Sequence, residues 1–311
     1  MRKGLLLRVL RIVISALLIA FLLHKVGLVD LRHTVSSVNI GYLVTALMLF
    51  LVGVFISSYK WQMLLSVHRI DVGLVTLVSF YFVSMFLRNF LSTIGGEAYK
   101  IYSVSRLSKN TPASIASVFL ERGSGLLALL TISILTLLIG YGIIVDRGII
   151  VLIICLFVGY VCALFVIFNK RLFKSLSGIL TILRSTKLRN KFAEMHRAIY
   201  LYKDDKRCLI KVVVLSFVYQ ILSVVIVVYV VSQSLHLNIP VIYFFLFCPL
   251  IGIFEMLPIS LNGIGIREGA FLFFFTRVGV SGAEAISMSL LVYAIAMATS
   301  LMGGVVYAFR K

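Results

Sequence analysis

The chain has 311 residues, 61% of them hydrophobic and 13% charged, with a formal net charge of +19. Long apolar runs with so few charges exclude a soluble domain and indicate an all-α polytopic membrane protein; the runs lack the dyad alternation of a barrel. The excess of Lys and Arg concentrates in short loops and one amphipathic segment, as the positive-inside rule and anionic lipid headgroups produce, so nucleic-acid binding is not expected.

Arg2, Lys3, Arg8 and Arg11 lead into an apolar core that runs to Leu23, and no small-x-small cleavage site follows. An uncleaved first membrane helix with a cytoplasmic N-terminus is predicted. Gly41 to about Met63 is the second span, with Lys60-Trp61 suited to a membrane interface and His68-Arg69 just beyond. The run Leu74–Leu91 meets Arg88-Asn89, then Ser92-Thr-Ile-Gly-Gly-Glu97, with Lys100, Arg106 and Lys109 after it. Thr111-Pro112 opens a helix to about Tyr141, with proline at a permitted first-turn position. Asp146-Arg147 is a short turn, and Ile149–Phe168 spans again.

Lys170–Arg207 holds eleven Lys/Arg against Glu194, Asp204 and Asp205. Leu172, Leu176, Ile179 and Leu183 repeat at helical spacing, as do Leu188, Phe192, Met195, Ile199 and Tyr202. This predicts one or two amphipathic helices on the cytoplasmic membrane face; a small soluble regulatory helix pair is the alternative. Leu209 to about Val231 spans, Val241–Met256 runs into a broken stretch, and Glu284–Phe309 is the last span before Arg310-Lys311.

The broken stretch is Pro258–Ala270, with three glycines, Asn262 and an adjacent Arg267-Glu268 pair inside an apolar region. Proline lacks a backbone donor and the glycines relax the chain, so no regular helix runs through. At membrane depth such backbone must be buried in protein or line a wet cavity, which makes it a candidate site. If every apolar run crossed fully, there would be eight crossings and the eleven-cation segment would fall outside. If Leu74–Lys109 and Val241–Val280 are instead re-entrant hairpins, six full crossings remain. Twenty-three of the thirty Lys/Arg then lie inside. The two hairpins enter from opposite sides, so residues 1–145 and 146–311 read as an inverted repeat of span, span, hairpin, span.

The candidate site residues follow from this frame. Arg88, Asn89, Gly95, Gly96 and Glu97 form one cluster, and Asn262, Gly263, Gly265, Arg267 and Glu268 the other. Glu121-Arg122 lies in the helix after the first hairpin, where Ser117, Glu121, Gly125 and Ala128 share a face that should turn Glu121 into the bundle. One reading has Arg88, Arg122 and Arg267 grip an anionic headgroup, with phosphate the best match to a guanidinium fork. Glu97, Glu121, Glu255 and Glu268 would balance them, exchange protons or hold a cationic group. The other has the arginines and glutamates merely neutralise each other. Gly263-x-Gly265-x-x-x-Gly269 misses the dinucleotide spacing, and no cofactor is expected. The histidines (24, 33, 68, 196 and 236) read as interfacial, and Cys155, Cys162, Cys208 and Cys248 as small packing residues. Ala296, Ser300 and Gly304 read as a close helix-packing face.

Asn89-x5-Gly95-Gly-Glu-Ala-Tyr-Lys100, Glu121-Arg122 and Pro258-x-Ser-x-Asn-Gly-x-Gly-x-Arg-Glu-Gly269 resemble the lysylphosphatidylglycerol synthase transmembrane region, or flippase-like domain family, over essentially the whole chain. The last motif is the most specific. Leu91 stands where the family commonly has a proline nearby and Glu97 where Asp is frequent, so the first break would rest on Gly95-Gly96. The resemblance implies a lipid-translocating membrane domain. Some members are fused to a soluble aminoacyl transferase; this sequence carries none, so lipid aminoacylation by it alone is not expected. The expected function is a flippase or transporter of an anionic phospholipid or polyprenyl-phosphate-linked lipid, in the cell membrane with both termini cytoplasmic. Two alternatives stand beside it: a membrane transferase on a lipid phosphate with Glu121 or Glu268 as base, and a non-catalytic partner of an envelope glycosyltransferase recruited through Lys170–Arg207.

Overall fold

The computed structural model describes residues 38–139, 147–169, 186–256 and 263–309. The predicted first helix, the first half of the cationic segment, the Pro258 break and Asn262 lie outside these residues. Within them the chain is helical: α1 Ile40–Val67, α2 Leu74–Ser108, α3 Thr111–Ile139, α4 Arg147–Phe168 and α5 Thr186–Leu201. There follow α6 Lys206–Ser234, α7 Val241–Met256, α8 Ile266–Phe275 and α9 Gly282–Phe309.

Polar residues at the ends decide where several helices begin. Asn110 Oδ1 accepts from Ala113 N–H (3.2 Å) ahead of α3, and Asp205 Oδ1 from Cys208 N–H (2.9 Å) ahead of α6. Ser281 and Glu284 cap α9 reciprocally, each side chain bonding the other's backbone N–H at 3.3 and 2.8 Å. Five helices are long and apolar enough to cross a membrane: α1, α3, α4 (from Ile150), α6 and α9. They coincide with five of the six predicted spans. The two remaining apolar stretches, Leu74–Asn89 and Val241–Met256, are shorter than the roughly 20 residues a crossing needs.

Leu74–Ser108 is helical on either side of its middle, yet the segment cannot be one straight helix. At about 1.5 Å rise per residue, Ser84 and Gly96 would stand roughly 18 Å apart along one helix. Instead, a Cβ on Gly96 would lie 2.6 Å from the Ser84 carbonyl oxygen, and the Phe80 and Tyr99 rings meet at 6.2 Å. The segment therefore doubles back between Arg88 and Gly96. The second broken region also forms an antiparallel pair. Phe244 meets Phe275 and Phe247 stacks on Phe274 near one end, while Glu255 faces Gly263 and Arg267 at the other.

The chain divides into two compact units, each drawn from separated segments. The described part of one comprises residues 38–55, 79–99, 219–256 and 263–309. Its helices approach closely: a Cβ on Gly303 would come 2.0 Å from the Phe82 carbonyl oxygen, and one on Gly304 2.8 Å from the Phe86 ring. Ser300 and Gly304 of the predicted packing face thus do meet the first arm of α2. Where α6 takes a π-helical turn at Ile221–Ile226, Gly53 of α1 leaves room for Ser223, whose Oγ would lie 1.8 Å from an added Cβ.

The described part of the other comprises residues 56–78, 100–139, 147–169 and 186–218. Its core joins Leu64 of α1, Ala116 and Leu120 of α3, Ala198 and Ile199 of α5, Tyr202, and Cys208 and Val212 of α6. The described part of the cationic segment thus packs its apolar stripe on protein. Met195, Ala198, Ile199 and Tyr202 pack on the ends of neighbouring helices, and the Tyr202 hydroxyl donates to the Leu64 carbonyl (2.9 Å). Two expectations change. Lys60 and Trp61 are buried in the bundle rather than interfacial, and Cys155 and Cys162 face outward on α4 rather than packing inside.

Candidate functional site

In the first unit the site is built on the Gly263-x-Gly265 turn. Gly263 (φ 77°) and Gly265 (φ 86°) both adopt the left-handed backbone that a side chain would strain. This turn launches α8 with Arg267 and Glu268 in its first turn, both buried. Glu268 accepts from the Gly265 N–H, so its negative charge sits at the positive end of the helix. Its other oxygen pairs with Arg267 Nη2. Arg267 Nε donates to Ser289 Oγ of α9 (3.0 Å), and the guanidinium lies 4.5 Å from the centroid of the Tyr293 ring one turn further on.

Glu255, at the end of α7, approaches the same guanidinium less tightly. Its Oε1 is 4.0 Å from Arg267 Nε, beyond hydrogen-bond distance, and its side chain remains 38% exposed. It lies in the electrostatic field of Arg267, Arg88 and Glu268. Arg88 Nε, on the first arm of α2, is buried with no hydrogen-bond partner among the described residues. Its neighbour Asn89 donates to Ser300 Oγ (2.8 Å), tying the reversal in α2 to α9. Gly96, against Ser84 and Arg88 Cβ, permits the close return of the second arm, which carries Gly95 and Glu97.

The second unit holds Glu121 and Arg122. Glu121 is buried on the predicted face with Ser117, Gly125 and Ala128. It forms an ion pair with Lys100, whose ammonium also lies 4.8 Å over the Trp61 ring. Lys60 donates to the Glu121 carbonyl (3.2 Å) and to Ser216 Oγ (3.1 Å), and Trp61 Nε1 donates to Ser117 Oγ (3.1 Å). Arg122, half-buried, adds its field at Lys60.

Of the thirteen candidate residues, Asn262 lies outside the described residues. Arg88, Asn89, Gly95, Gly96, Glu97, Glu255, Gly263, Gly265, Arg267 and Glu268 belong to the first unit, and Glu121 and Arg122 to the second. The sequence reading missed Ser289 and Tyr293, although a serine and a tyrosine at i, i+4 in the last span signal a polar stripe. It also missed Lys60, Trp61 and Lys100, which loop and interface assignments had absorbed.

The family described as the lysylphosphatidylglycerol synthase TM region matches residues 8–304. A UPF0104 membrane protein of Methanothermobacter thermautotrophicus is 22% identical over 293 residues, covering 87% of this chain and 85% of that protein. With a match running through both charged clusters and every described helix, the chain belongs to the lysylphosphatidylglycerol synthase TM region family.

Proposed function

We propose that the protein carries an anionic lipid, a phospholipid or a polyprenyl-phosphate-linked lipid, across its membrane. The observation that carries this reading is Arg267: a buried guanidinium at the start of a short helix, launched by a glycine turn and stacked on Tyr293. A guanidinium suits a phosphate, and a broken helix at membrane depth is where transporters hold their substrates. In this reading the doubled-back α2 and the α7–α8 pair are re-entrant hairpins from opposite faces, as the inverted repeat of residues 1–145 and 146–311 requires. The termini and the cationic segment lie on the cytoplasmic side, by the positive-inside rule.

The transferase alternative needs Glu121 or Glu268 as an available base. Both carboxylates are engaged, by Lys100 and Arg267 respectively, which favours transport. The test is dithionite quenching of fluorophore-labelled phosphatidylglycerol in phosphatidylcholine vesicles containing the purified protein. Arg267→Gln loses a charge-assisted contact of about 1.5–3 kcal/mol, so transport should slow roughly ten- to hundredfold. An unchanged rate with folded mutant protein would refute the reading.

A further inference from the structure

The first cluster contains a carboxylate that is held only loosely. Glu268 already neutralises Arg267 and caps the Gly265 N–H. Glu255 makes no hydrogen bond to Arg267, is far more exposed than Arg267 or Glu268, and stands in the field of a second arginine, Arg88. Arg88 Nε is itself a buried donor without a partner among the described residues. Two guanidiniums that share one tightly held carboxylate, Glu268, and one loosely held carboxylate, Glu255, describe a position that another anion can take.

We propose that the Glu255 carboxylate is a place-holder for the ligand: it occupies the position beside Arg267 and Arg88 that a phosphodiester headgroup takes, and it vacates that position by taking up a proton. This rests on the transport reading above and adds a coupling to it. Exchanging a singly charged carboxylate for a singly charged phosphodiester keeps the cluster's net charge constant, so no uncompensated charge is left in a low-dielectric site. One proton is taken from water per anion bound and returned when the anion leaves, which links lipid movement to the proton gradient. The other groups facing Glu255 are Glu268 and Arg267 on α8, Arg88 on α2 and Cys248 on its own helix. Gly263 packs on its side chain, with room for an added Cβ only 3.3 Å from Glu255 Cγ.

The test is calorimetric titration of the full chain in detergent with dihexanoyl-phosphatidylglycerol, and separately with dimethyl phosphate, between pH 5 and pH 8. Both probes hold a constant charge over that range, so any pH dependence belongs to the protein. Wild type should bind more tightly as pH falls. Glu255→Gln should bind about tenfold more tightly at pH 8, equivalent to one contact of ~1.4 kcal/mol, and lose its pH dependence. Glu255→Asp should retain that dependence, which provides a check that does not rely on one variant's folding. Proton uptake, read from the buffer dependence of the heat, should approach one per ligand in wild type and vanish in Glu255→Gln. Binding of dimethyl phosphate with the same pattern assigns recognition to the phosphodiester; binding of the lipid alone supports the same exchange with the tails contributing. Glu255→Gln that binds no more tightly, or that keeps the wild-type pH dependence, overturns the place-holder. Absence of binding by folded wild type and folded Glu255→Gln at every pH would instead overturn the transport reading beneath it.

Discussion

Two charged clusters sit in the two units, and they are made differently. In one, Arg267 stands at the start of a ten-residue helix launched by left-handed glycines, with one carboxylate held tightly and another loosely. In the other, Glu121 stands in the interior of a 29-residue helix, and Lys60, Lys100 and Trp61 converge on its turn from other helices, all nearly fully buried. The first has a broken backbone and a second carboxylate beyond hydrogen-bond distance of its arginine; the second has continuous backbone and close contacts throughout. A cluster that must admit a ligand resembles the first, and one that locks helices together resembles the second. On the transport reading proposed above, the same residue types serve opposite ends, and local backbone decides which.

The sharpest way to break this contrast is to neutralise one carboxylate in each cluster. Glu121→Gln leaves the Lys100 ammonium buried without its charge partner and should destabilise the protein by about 3–5 kcal/mol. Replacing both partners, Lys100→Met with Glu121→Leu, should cost less than the single change, because no buried charge is stranded. Glu255→Gln removes a part-exposed carboxylate that accepts no hydrogen bond from Arg267, so its melting temperature should stay near wild type. Detergent-phase melting curves decide it: equal losses for Glu121→Gln and Glu255→Gln would erase the distinction.

The steric frame of the first unit gives the next largest effect. At Gly303 an added methyl meets backbone, not a side chain that can turn away, so Gly303→Ala should force α9 off α2 and cost about 1–3 kcal/mol. Gly265→Ala strains the left-handed backbone of its own residue, at about 1–2 kcal/mol. Yet it should damage transport more than Gly303→Ala does, because the strained residue carries the cap that places Glu268 and Arg267. Stability and transport measured on the same two variants should rank them in opposite orders.

These features were not equally visible in the sequence. Apolar runs set the spans, because burial in lipid demands length and hydropathy and little else. The doubling back of α2 was legible from Arg88-Asn89 and Gly95-Gly96 breaking an apolar run, and from charge placement. The inward turn of Glu121 was legible from small residues at helical spacing. What escaped was pairing between distant segments. Lys60 and Lys100 look like loop cations because each stands at the end of an apolar run, and only the fold brings them to Glu121. The cationic segment was legible only as an amphipathic helix, because an apolar stripe looks the same whether it meets lipid or protein. Met195, Ile199 and Tyr202 meet protein.

Within the second unit, Trp61 offers a smaller test of the lock. Its indole N–H satisfies Ser117 on α3 while its ring lies under Lys100. Trp61→Phe keeps an aromatic face but removes the donor, and should cost about 1 kcal/mol from the lost hydrogen bond, with a further loss from the smaller ring. Ser117→Ala should cost about the same through the same bond, and the double variant should cost less than the sum of the two. Full additivity in the melting data would mean that the bond contributes nothing.

The smallest expected effect is electrostatic and lies at the edge of this unit, outside the spans. His68 follows α1, packs edge-on against Tyr202 at 5.0 Å between ring centroids, and hydrogen-bonds the Ala198 backbone. Burial lowers its pKa below the usual imidazole value, an effect the Ala198 bond only partly opposes. The folded protein thus prefers neutral His68, while the unfolded chain takes up its proton near pH 6.5. Below that pH the unfolded state binds more protons, so stability present above about pH 6.5 declines as pH falls towards the folded-state value, then levels off. Melting temperatures of wild type should drop over this window more than those of His68→Gln. A parallel pH dependence in the two proteins would mean that α5 is held on the bundle by its apolar contacts alone.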